Sequence, residues 1–371
     1  MPNAAKPLFD LTLTEEQVLM RETARRFADT QLRPAARKCD EAADIPRELY
    51  DRSLELGVNA VQIPEALGGF GAPRSPISNM LLIEDLARGD MALALGVLSS
   101  LSFVSCVLDH GSEAQRSALL APFAGEAFHP AAVALAEPGT RFDPAKLATR
   151  ARKSGGGYVL SGEKTLVPFG ADAELLLVIA AVEGEGPAAF VVKRGQAHVS
   201  FTREAFMGLR PLALHRMRLQ DAEVPASARL GEGAAFDLGR MVDLARIGAA
   251  ALAVGTCQAV LDYAKAYCNE RVAFGEPITH RQSVAFMIAD MAIELDGMRL
   301  LAYRAASRAE QGLSFHREAY LARLQAVEKG MKIGTDGVQL LGGHGFIREH
   351  MVELWYRNLR AVNLLEGMLC V

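Results

Sequence analysis

The sequence predicts a mainly α-helical protein with a small β domain between two helical units. Apolar residues with helical spacing fill roughly the first third of the chain, short β-branched runs bounded by turns follow, and long helical stretches make up the rest. We therefore expect three domains, over residues 1–125, 126–231 and 232–371. At 371 residues the chain exceeds the size at which a single core keeps growing, so several packed units are expected.

The N-terminal unit carries two sequence signals for helix starts. Thr14 and Gln17 have the spacing of a capping box, and the helix that begins there is predicted to run towards Pro34. Ser112 and Gln115 repeat the same pattern at the start of a shorter helix. The first 125 or so residues are therefore predicted to be all-helical.

The middle and C-terminal units differ in the period of their apolar residues. β-branched runs predict strands in the middle unit, over residues 157–164, 174–182, 188–194, 198–204 and 215–225. Four long helical patterns then predict an antiparallel bundle, over residues 236–271, 281–311, 315–341 and 349–359.

Composition excludes several classes of function. A net charge of -4 with a pI near 6.1 argues against nucleic acid as the main partner, because phosphate-backbone binding needs a basic face. Five scattered cysteines without a CxxC motif indicate neither a disulfide framework nor a metal site, which fits a reducing compartment. The N-terminus lacks a basic start followed by an apolar core, and no run of about 18 apolar residues stands out. We expect a cytoplasmic protein that does not insert into a membrane.

The stretch from Gln339 to Val371 holds the residues with most chemical content. Three glycines around His344 predict a turn with positive φ or close backbone approach to a ligand. Further on, Glu366 stands alone among apolar side chains, and a desolvated carboxylate of this kind is a candidate general base. A solvated loop glutamate is the alternative, because glutamate is rarely buried without a partner. On these residues alone both interpretations stay open.

The order and spacing of several short strings resemble those of the acyl-CoA dehydrogenase family, from about Leu11 to Gly367. The family fold implied is an N-terminal helical domain, a middle β-barrel domain and a C-terminal four-helix bundle. The matching strings are Ala134–Gly139, Gly162–Lys164, Met207–Arg210, Glu223–Pro225, Arg271–Ile278 with Gln282, Gln339–Gly345 and Leu365–Gly367.

The resemblance implies FAD as the cofactor. Arg271 and the Gly342–Gly343 turn offer a guanidinium and backbone N–H groups suited to a pyrophosphate, and in the family they serve the neighbouring subunit. A homodimer or homotetramer is therefore implied. Arg271 as an ordinary helix C-terminal residue is the alternative. The residues implied to bind FAD are Ala134, Ala136, Glu137, Val167, Pro168, Arg271, Phe274, Gln282, Gln339, Gly342 and Gly343.

The resemblance also implies the reaction, which is oxidation of an acyl-CoA to a trans-2-enoyl-CoA in fatty acid or steroid degradation. Glu366 would take the α-proton while the β-hydrogen leaves as hydride to flavin N5, and an electron-transfer flavoprotein would accept the electrons. Asp243, Arg246 and Gly367 would contact the substrate, although a plain intrahelical salt bridge is the alternative for Asp243 and Arg246.

The family pattern is broken at several positions. Ala136 replaces a hydroxyl residue, and Leu166–Val167–Pro168 replaces the family's Trp-Ile-Thr, so a hydroxyl and an N–H are missing. Thr140–Asp143 replaces a Gly-Ser-Asp run, and Met368–Val371 stands where the family has a threonine and a helix. Two alternatives therefore stay open: a subunit of a hetero-oligomeric acyl-CoA dehydrogenase that shares FAD sites with a paralogue, or a catalytically silent bundle used in binding or assembly.

Overall fold

A computed structural model describes residues 11–140 and 142–371, which leaves the first ten residues and Arg141 outside the description. Helices form both ends of the chain and a sheet lies between them. The helices of the described residues are α1 Glu15–Phe27, α2 Arg33–Ala42, α3 Arg47–Ser53, α4 Pro76–Ala87, α5 Met91–His110, α6 Glu113–Leu120, α7 Leu238–Glu270, α8 Gln282–Glu310, α9 His316–Leu341 and α10 Val352–Arg360.

Both predicted capping boxes are present. The Thr14 hydroxyl accepts from Gln17 N while the Gln17 side chain accepts from Thr14 N, and Ser112 and Gln115 do the same. The first helix runs towards Pro34 as predicted and continues beyond it. Helix α1 continues through a π-helical turn, Ala28–Leu32, into α2, which carries Pro34 in its first turn. Pro34 lies just after this π-helical turn, where Arg33 N donates to the Ala28 carbonyl five residues back.

The middle unit is one curled seven-stranded sheet with the order β1-β4-β2-β3-β7-β6, in which β5 also pairs with β4. Two of its strands escape the sequence patterns: β1 is a short run of small residues, and the charged run of β2 lacks β-branched residues. The strands are β1 Ala131–Ala134, β2 Arg150–Ser154, β3 Gly157–Val167, β4 Leu175–Val182, β5 Gly186–Lys193, β6 Val199–Arg203 and β7 His215–Pro225, with a separate hairpin of β8 Val272–Ala273 and β9 Glu276–Pro277.

The end of β3 is irregular at the place where the family pattern is broken. The β3–β7 register shifts between Lys164 and Val167, and Leu166 has a φ of +59° within that bulge. Leu166 is nevertheless buried, at 8% exposure. A bulge re-aims side chains at the rim of a sheet, and here it directs Leu166 towards the helical units.

Helix α7 is the central element of the C-terminal bundle. It packs against α8, α9 and α10 of the bundle and against α4 and α5 of the N-terminal unit, so a single apolar core runs through both helical units. The inner faces of the sheet form a second core. Gly337 on α9 lets α7 approach closely, because a Cβ there would meet Val260 at 2.3 Å.

Two helices of the described residues, α5 and α7, are long and apolar enough to cross a membrane by length and composition. In each, more than four fifths of the most apolar 18-residue window is buried inside the protein, at 94% for α5 and 83% for α7. Their apolar surface is therefore used by the internal core.

Candidate active site

Glu366 follows a 3-10 turn, Ala361–Leu364, at the end of α10. Its next neighbour, Gly367, has a φ of +76° and lies so close to Leu135 that a Cβ would meet that side chain at 2.4 Å. Only glycine adopts this conformation and leaves room for the contact. The chain thus brings Glu366 against the loop that follows β1.

The carboxylate of Glu366 is buried, at 8% exposure, so the solvated alternative is excluded. It is also not alone. Arg246 Nη2 lies 3.0 Å from Oε1, and Arg323 Nη2 lies 2.9 Å from Oε2. The expectation of an unpaired acid among apolar side chains is therefore wrong, because α7 and α9 each supply a guanidinium from elsewhere in the chain. Each oxygen of the carboxylate therefore has its own guanidinium partner.

Asp243 and Arg246 form the intrahelical salt bridge that the sequence left open, with Arg246 Nη1 at 3.1 Å from Asp243 Oδ1. Asp243 also accepts from His316 Nδ1 at 2.9 Å. The same Arg246 reaches Glu366, so the salt bridge and a place beside the base occur together. We call Glu366, Arg246, Arg323, Asp243 and His316 the base cluster.

The loop after β1 is held by a buried ion pair. Lys164 Nζ, fully buried, donates to Glu137 Oε1 at 2.8 Å and to the Leu135 carbonyl at 3.1 Å. The carboxylate of Glu137 also accepts from the backbone N–H groups of Ala148 and Thr149. Burial lowers the pKa of Lys164 to about 8, against the opposing effect of Glu137. Burial alone would raise the pKa of Glu137, but its hydrogen bonds from Lys164 and the backbone hold it below its usual value.

This arrangement assigns different places to three residues predicted to bind the cofactor. Ala134 and Ala136 lie on the segment that Lys164 fixes, and both are buried, at 1% and 6% exposure. The side chain of Glu137 is directed into the protein by its own hydrogen bonds. Glu137 therefore shapes the segment and does not offer its carboxylate to a ligand.

An apolar cavity of about 150 Å³ lies between the sheet and the end of α10. Leu166 closes it from the sheet side, while Leu364 and Leu365 close it from the segment that leads into Glu366. Val167 and Pro168, which follow Leu166 in the sequence, are also buried. The end of β3 therefore lines the same cavity as Leu365, the residue that precedes the candidate base.

The remaining predicted residues lie at the other end of the bundle. Arg271 directly follows α7, whereas Asp243 lies near its start, so a rise of about 1.5 Å per residue separates them by about 40 Å. The Tyr267 hydroxyl contacts His344 Nδ1 at 2.6 Å, which brings the Gly342–Gly343 turn to the same end. All members of this set are exposed, and we call them the distal turn: Arg271, Phe274, Gln282, Gln339, Gly342 and Gly343.

The distal turn presents its groups outward. Phe274 has a φ of +57° and is 94% exposed, and a Cβ on Gly342 or Gly343 would meet no atom within 4 Å. Arg271 occupies the C-cap position of α7, which agrees with its interpretation as a helix C-terminal residue. Within the described residues no acid pairs with its guanidinium. A ligand of one chain cannot span both the distal turn and the base cluster.

Sequence reasoning did not identify Arg323 or Lys164 as important residues. Both lie on regular elements, where an arginine or a lysine is an ordinary residue. Lys164 was part of a quoted family string, but its complete burial gives it a role that the string did not suggest.

Within the described residues no group of three His, Cys, Asp or Glu side chains is arranged to hold a metal ion. The five cysteines are buried free thiols.

Comparison with known proteins identifies the family. The chain matches the N-terminal, middle and C-terminal domains of the acyl-CoA dehydrogenases over residues 14–127, 132–222 and 231–369. The short-chain specific acyl-CoA dehydrogenase of Bos taurus mitochondria is 33% identical, over 96% of this chain and 87% of the relative. The protein therefore belongs to the acyl-CoA dehydrogenase family, whose members are FAD-dependent oxidoreductases that act on the CH–CH bond of acyl-CoA.

Solved structures agree. Butyryl-CoA dehydrogenase from Megasphaera elsdenii has a TM-score of 0.89 and 30% identity, covering 97% of this chain and 96% of that one. A chain in a structure titled for the electron transferring flavoprotein of Acidaminococcus fermentans has the same TM-score, with 31% identity and the same coverage. The predicted three-domain fold is confirmed.

The residues present fit a flavin. The apolar cavity between Leu166 and Leu365, which we call the slot, suits a flat aromatic ring. The exposed Gly342–Gly343 turn suits a pyrophosphate. The first feature lies beside the base, and the second lies at the other end of α7, where Arg271 is about 40 Å from Asp243.

Proposed function

We propose that this protein oxidises a short acyl-CoA thioester to its trans-2-enoyl-CoA, with Glu366 as the base that removes the α-proton. One observation carries this proposal. Gly367 packs on Leu135, which places a buried carboxylate between the loop after β1 and the apolar slot behind Leu166. The carboxylate is therefore close to the loop after β1 and to the end of β3, the two elements predicted to hold the flavin.

The reaction is balanced as follows. The Cα–H bond breaks and its proton moves to a carboxylate oxygen of Glu366, while the electron pair of that bond forms the new Cα=Cβ bond. The hydrogen on Cβ leaves with its electron pair. When bound, FAD supplies the two-electron acceptor that takes this hydride.

The base cluster prepares Glu366 for this step. Arg246 and Arg323 hold the carboxylate in place, with one guanidinium on each oxygen. Both guanidinium groups are largely buried, with side-chain exposures of 14% and 19%. The low exposure excludes water, which strengthens each electrostatic interaction in the site.

Asp243 and Arg246 are the residues we assign to the thioester and the arm of CoA. They lie on α7 beside Glu366, and His316, which is exposed, extends the polar path towards solvent. A short acyl group is supported by the similarity to the short-chain and butyryl-CoA dehydrogenases.

A homo-oligomer is part of this proposal. Three exposed apolar residues repeat every seven positions along α8, namely Phe286, Ile293 and Leu300, with exposures of 62%, 68% and 44%. On α9, Tyr320 and Leu324 are also exposed, at 49% and 48%. Such a stripe is typical of a helix–helix interface. We propose that it joins chains into a homotetramer and brings a neighbour's distal turn to each base cluster.

The electron acceptor and the setting complete the proposal. An electron-transfer flavoprotein as acceptor is supported by the similarity to a chain from the Acidaminococcus structure. The buried free thiols of all five cysteines favour a reducing, cytoplasmic location. We place the reaction in the breakdown of fatty acyl or steroid-derived thioesters.

A second candidate function is favoured by the residues that break the family pattern. Pro168 and Ala136 lack the hydroxyl groups that the family uses near the flavin. A subunit that shares its FAD sites with a paralogue would receive these groups from another chain.

The visible spectrum of the protein purified alone tests the choice between these candidates. The self-sufficient enzyme is expected to be yellow and to lose its flavin absorbance when butyryl-CoA is added without oxygen. Colourless protein that gains flavin only with a second chain would favour the shared-site candidate.

A further inference from the structure

The two carboxylate oxygens of Glu366 have different partners. Oε1 accepts from Arg246 Nη2 at 3.0 Å and Nε at 3.1 Å. Oε2 pairs with Arg323 Nη2 at 2.9 Å. The base is thus held from two helices, with one guanidinium on each oxygen.

The two arginines are not equivalent. Arg246 shares its charge with Asp243 at 3.1 Å and lies over the Tyr320 ring at 5.7 Å from its centroid. Within the described residues, Arg323 has Glu366 as its one acidic partner, and its buried Nε has no hydrogen-bond partner. The charge of Arg323 is therefore balanced by the base alone.

Arg323 also braces the main chain that carries the base. The Nη2 atom that meets Glu366 donates to the carbonyl of Asn363 at 2.8 Å. One nitrogen thus ties the turn before Glu366 to its carboxylate, which fixes the backbone and the side chain together.

Burial of this guanidinium has a cost. Desolvation lowers the pKa of Arg323 below its ordinary value even though Glu366 acts in the opposite direction. A leucine or methionine would fill the same space on α9 without that cost, because buried ion pairs are often no more stable than apolar replacements. The position of Arg323 is better explained by its action on the base than by stability.

We propose that Arg323 is a positioning residue for the proposed base. It holds Oε2 and the turn at Asn363 together, and so fixes the orientation of the carboxylate for removal of the α-proton. This inference rests on the proposed function, since it requires Glu366 to be the base.

The charged and titratable groups around Glu366 define what else can change with pH. Helix α7 contributes Asp243 and Arg246, and α9 contributes Arg323 and Tyr320. His316 acts at one remove through Asp243. Any effect of Arg323 must therefore be separated from the titration of His316.

The kinetic test compares flavin reduction by butyryl-CoA without oxygen, from pH 5.5 to 9, in the FAD-loaded protein. In Arg323→Met, we expect the acid limb of the pH–rate profile to move to higher pH by about one unit, because a carboxylate that loses a guanidinium holds its proton more tightly. Arg323→Lys is expected to restore more than half of the shift.

Two controls accompany these variants. Arg317→Gln removes an exposed arginine of the same helix and is expected to leave the profile unchanged. His316→Asn removes the titration of His316, so a limb due to that residue would disappear while the response to Arg323 would persist.

A second measurement does not depend on activity. Urea unfolding of Arg323→Met, Glu366→Gln and the double variant forms a double-mutant cycle, and we expect the two changes to be strongly non-additive. Additive effects, or an unmoved acid limb in a folded Arg323→Met protein whose Glu366→Gln counterpart is inactive, would overturn the proposal and leave the proposed function intact. A Glu366→Gln protein that reduces flavin at the normal rate would overturn both.

Discussion

The base cluster and the distal turn are both needed by the proposed enzyme, yet they have opposite surroundings. In the base cluster, Glu366 is 8% exposed and each of its oxygens meets an arginine of the same chain. In the distal turn, Phe274 is 94% exposed and Arg271 has no acidic partner within the described residues. The base cluster is complete within one chain, whereas the distal turn exposes its side chains to solvent.

This difference indicates how the protein divides its tasks. The Phe274 ring has the Arg281 guanidinium 5.5 Å from its centroid, but an aromatic ring this exposed contributes little to the stability of its own chain. Exposed apolar groups of this kind are typical of contacts with another molecule. The separation of about 40 Å along α7 prevents one chain from using both regions on one cofactor. The base cluster is therefore expected to determine chemistry, and the distal turn is expected to determine whether flavin is retained.

The largest expected effect is on the rate of flavin reduction, with FAD binding unchanged. In Glu366→Gln, the rate of flavin reduction by butyryl-CoA should fall by about 10³-fold, because the amide cannot accept the α-proton. The bound FAD content should stay normal, since the distal turn is unchanged. Stopped-flow absorbance without oxygen measures the rate, and Glu349→Gln, an exposed acid near the distal turn, serves as the matched control. Loss of FAD from the Glu366→Gln protein would contradict the division of tasks.

The next effect is on the segment that joins the sheet to the base cluster. Lys164→Met leaves Glu137 buried without its cation and should reduce the free energy of unfolding by about 3–5 kcal/mol. Urea unfolding measures this change.

The double variant Lys164→Met, Glu137→Gln removes both charges and should recover much of the free energy of unfolding that is lost in Lys164→Met. A single variant as stable as the wild type would show that the Lys164–Glu137 pair does not hold the loop beside Gly367.

A smaller effect is expected at the distal turn. Arg271→Gln should weaken FAD binding by about 10- to 100-fold, because a charge-assisted hydrogen bond contributes about 1.5–3 kcal/mol. Fluorescence titration of the flavin-free protein with FAD measures the affinity.

Mixing the Arg271→Gln and Glu366→Gln chains makes this comparison sharper. If each site uses the base of one chain and the distal turn of another, random dimers regain normal residues in about a quarter of their sites. Activity that is no greater than the sum of the two separate variants would show that one chain serves both tasks.

The smallest effect concerns a buried acid without a strong cationic partner, in contrast to Glu366. Asp90 caps α5, and burial raises its pKa to about 6 despite hydrogen bonds from the backbone. The folded state then binds a proton at Asp90 more readily than the unfolded state does. The stability that Asp90 contributes in this way is fully present below about pH 4 and is lost as pH rises through about 6.

Asp90→Asn keeps the cap and removes this titration. Between pH 4 and 7 the variant should therefore lose less stability than the wild type, by about 2–3 kcal/mol in urea unfolding. Equal slopes in the two proteins would contradict the assigned titration.

Local patterns predicted much of the fold. The capping boxes at Thr14 and Ser112 form as their spacing indicates, and the four long C-terminal helices lie close to their predicted positions. These features depend on neighbours within a few residues, so they can be read along the chain. The charged strand β2 was missed because its structure comes from pairing with β3 and β4.

The sequence alone determined the order of the helical and β units, five of the seven strands of the sheet, the family strings and the position of Glu366 one residue before a glycine. It could not determine that Glu366 has two arginines, or that the residues predicted to hold one cofactor lie at opposite ends of α7. Those facts were decided by the tertiary structure. Charge partners are chosen by the packing of α7, α9 and the segment after α10, and this packing joins residues far apart in sequence.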